Sequence, residues 1–378
     1  MLILILLGVL LVPVGHLLPD TYVTTLRNLA PLFGSLALVV IMFNNARRIG
    51  FVGTGTKGAS GVTLGILDTL LATVVLSFTM NLLFNWPYVY GAILGAVLGE
   101  TATVVVLPVI ARLKLDRGIY EMLLMETTTN SVTSILAFAL LISVVSSQSL
   151  TAATFTNYVV DYISVAVFIG LVFGIVWLFA QRSFRGAKEY LATIAAALLL
   201  YGVVSLLNGA AIISILIFAV VIGHRRLVLK LLGLKAREDQ RALVEAKATE
   251  RDLEFLIRTF FFVFIGMIAS LSLQYLGYAL LITALLLLFR YIPIKIIMRN
   301  DKRSQNIVFS LMPRGTTAAV LGAILYGIGG FFSNEMFYIT FMVIIVTNVL
   351  SAFMVAATRP KTISARSEGM HNAPSKGI

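Results

Sequence analysis

The chain has no cysteine, and its 378 residues include only three histidines, His16, His224 and His371. The first absence excludes disulfides, thiolate metal sites and a cysteine nucleophile. The scatter of the histidines leaves no ligand spacing for a transition-metal centre, so neither cofactor nor transition metal is expected. Charge is scarce as well: 12% of the residues are charged, where soluble domains carry about 25%. Apolar residues fill the space, at 59% of the chain and a mean hydropathy of +0.98. They fall into runs near the ~20 residues that cross ~30 Å of hydrocarbon. Composition thus specifies an all-α polytopic membrane protein. The N-terminal run MLILILLGVLLVPVGHLLP has no basic segment before it and no small-x-small cleavage site, so it reads as a retained helix rather than a signal peptide.

Gly, Pro, Asn and charged residues divide the apolar runs into twelve predicted helices, at about 2–18, 29–45, 60–84, 88–111, 119–147, 156–180, 189–207, 209–223, 253–272, 277–298, 307–329 and 335–357. Of the 29 lysines and arginines, Arg27 stands alone in the loops of one side. Arg258, Arg290 and Arg314 fall within or at the edges of helices, and the rest gather at the other side or in the tail. This asymmetry predicts both termini in the cytoplasm. It also accounts for the net charge of +12 as topology, with no call for nucleic-acid binding. The organisation expected is an N-terminal half (1–223), a helical cytoplasmic linker (224–252), a C-terminal half (253–358) and a polar, disordered tail (359–378).

Five charged side chains lie well inside the predicted helices: Asp68, Glu100, Glu126, Arg290 and Arg314. Each costs at least ~2.5–3.5 kcal/mol near a helix centre, so pairing or a polar cavity is expected. At ~1.5 Å per residue the last four lie roughly 10–17 Å from the inner boundary and can share one layer. Asp68, in GILDTLLATVV, has no obvious partner; it is expected to pair with a neighbouring helix, the alternative being that it lines a cytoplasmic funnel. Two helices carry the same interruption. GETAT (99–103) and MPRGTT (312–317) each break an apolar run with Gly, Thr and a charge, the second also with Pro313. Paired broken helices in two halves point to an inverted-repeat secondary transporter with a site near the midplane. METTTNS (125–131) adds Glu126 followed by five polar side chains. Glu126 and Asn130 share a helical face, as do Thr127 and Ser131. Hydroxyls in membrane helices commonly bond back to their own helix, but five polar side chains in succession exceed that need.

In this arrangement the sequence resembles the monovalent cation:proton antiporters, specifically their prokaryotic sodium/proton exchanger branch. The resemblance runs over almost the whole chain. It rests on APLFGSLALVVIMFNNARRI (30–49), GAILGAVLGETATVVVLPVIARLKL (91–115), METTTNS, RTFFFVFIGM (258–267), LFRYIPIKI (288–296) and MPRGTTAAVLG (312–322), in the family's order. It implies an antiporter-like fold with two crossing discontinuous helices, here about twelve transmembrane helices with the family's first missing. It also implies a homodimer in the cell membrane, with a monovalent cation and H+ as substrates. Carried over by position, Glu126 and Arg290 form a structural ion pair, Thr101, Thr127 and Asn130 lie at the cation site, and Arg314 holds the crossing.

The departures concern the acids. The exchangeable Asp of the family's helix five is Ser131 here, the Asp of its TDP motif is Ala102, and the acid of its FDGG-like turn is Asn44. Glu100 is a surplus carboxylate. One expectation makes Glu100 the titratable group, with Thr101, Asn130 and Ser131 as neutral oxygen ligands, as proton exchange requires of a carboxyl held out of water. The competing expectation is that Glu100 only balances Arg314. Two functions follow from the same residues. One is exchange of a monovalent cation (Na+ first, K+ or Li+ next) for H+ by alternating access. The other is a degenerate paralogue acting as an uncoupled channel, sensor or transporter of another solute. No catalytic triad, metal-ligand spacing or nucleotide loop supports an enzyme.

Overall fold

The computed structural model describes residues 2–15, 17–47, 56–103, 105–106, 109–110, 116–146, 152–207, 209–233, 240–269, 272–299 and 302–358. The tail from Arg359 and part of the expected linker lie outside the described residues. Fourteen helices and no strands are found among them. They are α1 (Leu2–Val9), α2 (Asp20–Arg47), α3 (Thr56–Phe84), α4 (Tyr88–Leu98), α5 (Arg117–Ser146), α6 (Ala152–Ala180) and α7 (Ala187–Leu206). The chain continues with α8 (Ala211–Gly223), α9 (Arg225–Leu231), α10 (Gln240–Ile268), α11 (Leu273–Ile297), α12 (Lys302–Ser310), α13 (Thr316–Ile328) and α14 (Phe331–Thr358). Seven of the helices are long and apolar enough to cross a membrane. Leu82, Phe168, Leu206 and Phe353 are among the large apolar side chains left exposed on the outside, as lipid contact requires.

The observed bounds differ from the sequence-based ones where a polar or cyclic residue suggested an end. Pro31 lies inside α2, which starts at Asp20 rather than near residue 29; Ser35 donates to the Pro31 carbonyl within the same helix. Pro13 has the opposite effect on the first helix, which is α-helical only to Val9 and widens into a π-helical turn over Leu10–Val14. α10 runs unbroken from Gln240 to Ile268, so its first turns occupy sequence expected as linker. Glu250 and Glu254, within this helix, pair with Arg47 and Arg258. α9 turns away from α8 by 78°.

Two groups of helices pack side by side. α1, α2, α6, α7, α8 and α10 contact one another, and α3, α4, α5, α11, α12, α13 and α14 form the second group. α2 touches both, lying against α8 and α10 on one side and α13 on the other. Within the second group α3 lies against both α4 and α5, and glycine permits the approach. A Cβ at Gly65 would stand 2.7 Å from the carbonyl oxygen of Glu126, so only hydrogen fits there.

Candidate functional site

The two interrupted helices meet. α4 ends at Leu98, residues 99–102 are unwound, and the helix resumes at Thr103. α12 ends at Ser310, and residues 311–315 are unwound before α13. At 11 and 13 residues, α4 and α13 each span roughly 16–20 Å, about half a membrane crossing. Where the unwound segments cross, the Ala102 amide donates to the Pro313 carbonyl at 2.8 Å. Gly315 is forced by this contact, since a Cβ there would lie 2.4 Å from the Ala102 Cβ.

A helix end leaves backbone groups unpaired and carries partial charge, positive at the N-terminus and negative at the C-terminus. Glu100 answers the first kind of end. Its Oε1 accepts from the amides of Gly315 at 3.0 Å and Ala318 at 3.3 Å, at the start of α13. Its Oε2 accepts from the Ser131 hydroxyl at 3.0 Å. The arginines answer the second kind. Arg314 donates to the Glu100 carbonyl, just past the end of α4. Arg290 donates to the carbonyls of Val308 at 3.4 Å and Leu311 at 3.3 Å, at the end of α12. Arg314 thus meets the backbone of Glu100 rather than its carboxylate.

Arg290 also binds two acids. Its Nη1 donates to Asp68 Oδ2 and its Nη2 to Glu126 Oε1. The same Nη1 lies 3.4 Å from the Thr101 hydroxyl oxygen. Asp68 therefore has the inter-helix partner expected of it. The second oxygens, Asp68 Oδ1 and Glu126 Oε2, have no hydrogen-bond partner among the described residues.

Every residue singled out on α5 is buried, but their surroundings differ. Thr127 donates back to the Leu124 carbonyl at 3.3 Å, and the single Ser131 hydroxyl lies within hydrogen-bond distance of both the Thr127 carbonyl, at 2.9 Å, and Glu100. Asn130 is fully buried with both side-chain polar atoms unpartnered. Its carbonyl lies 3.4 Å from the Thr69 hydroxyl of α3. Asn44 is placed differently: on α2 it accepts from the Tyr190 hydroxyl at 3.2 Å, facing α7. The structure brings Glu100, Thr101, Glu126, Ser131, Arg290 and Arg314 to one crossing and adds Asp68.

One group was missed from sequence. Thr347 accepts from the Arg314 amide at 3.2 Å, Asn348 donates to the Arg314 carbonyl at 2.7 Å, and Ser351 donates to the Ser310 carbonyl at 2.7 Å. These α14 side chains hold the backbone of the second break. Their spacing of one and four residues within an apolar helix puts them along one stripe, a signal available in the sequence.

A small cavity of about 10 Å³ opens beside Arg290, lined by Asp68, Arg314 and apolar side chains that include Leu71 and Phe289. That is room for about one water molecule.

Two solved structures of the sodium proton antiporter MjNhaP1 from Methanocaldococcus jannaschii share this fold. The one described at pH 8 is 18% identical, with a TM-score of 0.73 over 95% of this chain and 91% of that one. The other, an electron-microscopy map, is 19% identical, with a TM-score of 0.69 over 100% of this chain and 93% of that one. No curated protein sequence matches the chain. The profile described as sodium/hydrogen exchanger, transmembrane, matches residues 1–358. Nearly the whole chain, the crossed half-helices included, is covered by that match, and the protein is a multi-pass membrane protein that belongs to the sodium/hydrogen exchanger family.

Proposed function

We propose that the protein exchanges a monovalent cation for a proton across the cell membrane by alternating access, as a homodimer with both termini in the cytoplasm. The observation that carries this reading is the charge balance at the crossing. Among the described residues there, three carboxyls (Asp68, Glu100 and Glu126) stand against two guanidiniums (Arg290 and Arg314). With all five ionised, one negative charge is left over at membrane depth, where an unneutralised charge is costly. A proton or a monovalent cation restores neutrality, and either excludes the other. That competition couples the two fluxes. The ligands are oxygens: a carboxylate of the crossing, the Asn130 amide and the hydroxyls of Thr101, Thr127 and Ser131. Oxygen donors without thiolate or imidazole suit hard cations, with Na+ first and Li+ and K+ as alternatives. Access would alternate by movement of the group that carries the crossing against the group of α1, α2, α6, α7, α8 and α10.

Ser131, where the family resemblance places an acid, favours a second reading in which coupling is lost. One experiment separates them. In proteoliposomes with an acid interior, added Na+, Li+ or K+ should dissipate the pH difference. Flux of cation without proton movement, or no flux at all, supports the uncoupled paralogue.

A further inference from the structure

Of the three carboxyls at the crossing, two are tied down. Glu100 spends both oxygens on neutral donors, two of them backbone amides at the start of α13. Glu126 shares its Arg290 nitrogen, Nη2, with the carbonyls at the end of α12, which locks acid, arginine and helix end together. A single guanidinium brings one positive charge to two carboxylates, Glu126 and Asp68, and of these two only Asp68 also lines the cavity.

Its setting is that of a binding group. It lies near the middle of α3, about 18 Å from the first residue of that helix at 1.5 Å per residue. Its side chain is 4% exposed. Oδ1 has no partner, and the residue lines the cavity beside Arg290, whereas Glu126 is not among the lining residues. The contact on Oδ2 is informative too. Arg290 Nη1 sits between Asp68 Oδ2 and the Thr101 hydroxyl, so one point already holds positive charge with a carboxylate on one side and a neutral oxygen on the other. A small cation that displaced this guanidinium nitrogen would have the same two oxygens to bind. The charged groups around Asp68 are Arg290 from α11, Arg314 from the break before α13, Glu126 from α5 and Glu100 from the break after α4. They sum to zero without Asp68.

We propose that Asp68 is the carboxylate to which the transported cation binds, with Thr101 as its neutral co-ligand, making good from α3 the acid that α5 lacks at Ser131. This rests on the exchange reading above and names its binding group.

The test is 22Na+ binding to the purified, detergent-solubilised full chain, read beside proton exchange in proteoliposomes and thermal melting. Asp68→Asn should weaken Na+ binding at least 10-fold and reduce exchange to a similar degree. Asp68→Glu keeps the charge and lengthens the reach, so it should still bind and should change the Na+ to Li+ preference at least 3-fold. A role confined to holding Arg290 would leave that preference unmoved, so the second variant decides the matter even where Asp68→Asn does not fold. Binding by a folded Asp68→Asn within 2-fold of the parent, or an unaltered preference in Asp68→Glu, overturns the assignment while leaving exchange intact. A parent protein that binds Na+ through Asp68 yet moves no protons overturns the exchange reading instead. A parent that binds none of Na+, Li+ or K+ overturns both.

Discussion

Glu100 and Arg314 show how position changes what a charge does. They are of opposite sign and lie at one crossing, yet their side chains do not pair; each serves the other's backbone region. Glu100 accepts from the amides that open α13, and Arg314 donates to the carbonyl of Glu100. Such helix-end contacts are worth 0.3–1 kcal/mol at a surface and up to about 2 kcal/mol when buried. Glu100→Gln is therefore expected to lower stability by about 1–2 kcal/mol and, because it removes the surplus negative charge of the crossing, to reduce cation-dependent proton flux. Thermal melting and a proteoliposome assay on the same preparation check both halves. Undiminished flux in a folded Glu100→Gln would mean that the net charge of the crossing does not set the coupling.

At the scale of elements, the site depends on half-helices being held at a fixed distance from intact ones. α3 is the wall against which α4 and α5 are set, and the Gly65 contact brings it against the Glu126 carbonyl. Gly65→Ala would push a methyl group to 2.7 Å from that oxygen and 3.0 Å from the Asn130 amide. Overpacking of this kind typically costs about 1–3 kcal/mol, and here it also displaces an acid of the Arg290 cluster. Lower melting together with slower exchange is the expected pair of effects. Gly277→Ala on α11, where an added Cβ meets nothing within 4 Å, should leave both unchanged. The half-helices have a further support in α14, whose Thr347, Asn348 and Ser351 bond the backbone on either side of the second break. Without them the unwound segment would leave polar backbone groups unpaired at membrane depth.

For the whole molecule, alternating access requires the two helix groups to move relative to each other, and α2 against α13 is one of the contacts between them. Gly34 and Ala323 face one another there, with a Cβ built on Gly34 lying 3.3 Å from that of Ala323. This is slightly under the ~3.5–4.5 Å that disulfides span. Because the chain has no cysteine of its own, Gly34→Cys with Ala323→Cys introduces a single possible bridge within a subunit. Oxidation should abolish exchange and reductant should restore it. Full activity in the oxidised, cross-linked protein would mean that this interface stays closed throughout the cycle.

The membrane class, the two interruptions and the shared depth of Glu100, Glu126, Arg290 and Arg314 were legible in the sequence. Lipid makes a break or a charge in an apolar run too costly to be incidental, so each one stands out against its neighbours. Helix bounds were less legible, because Pro13 and Pro31 look alike in sequence while only the first disturbs the regular winding. Pairing was not legible at all. Asp68 reaches Arg290 across 222 positions, and nothing local distinguishes that partner from any other cation. Nor could sequence tell that Glu100 would meet amides rather than the Arg314 guanidinium. Pattern along the chain reports what each segment must be embedded in; which charge neutralises which depends on distances across the packed helices, and those exist only once the two unwound segments have crossed.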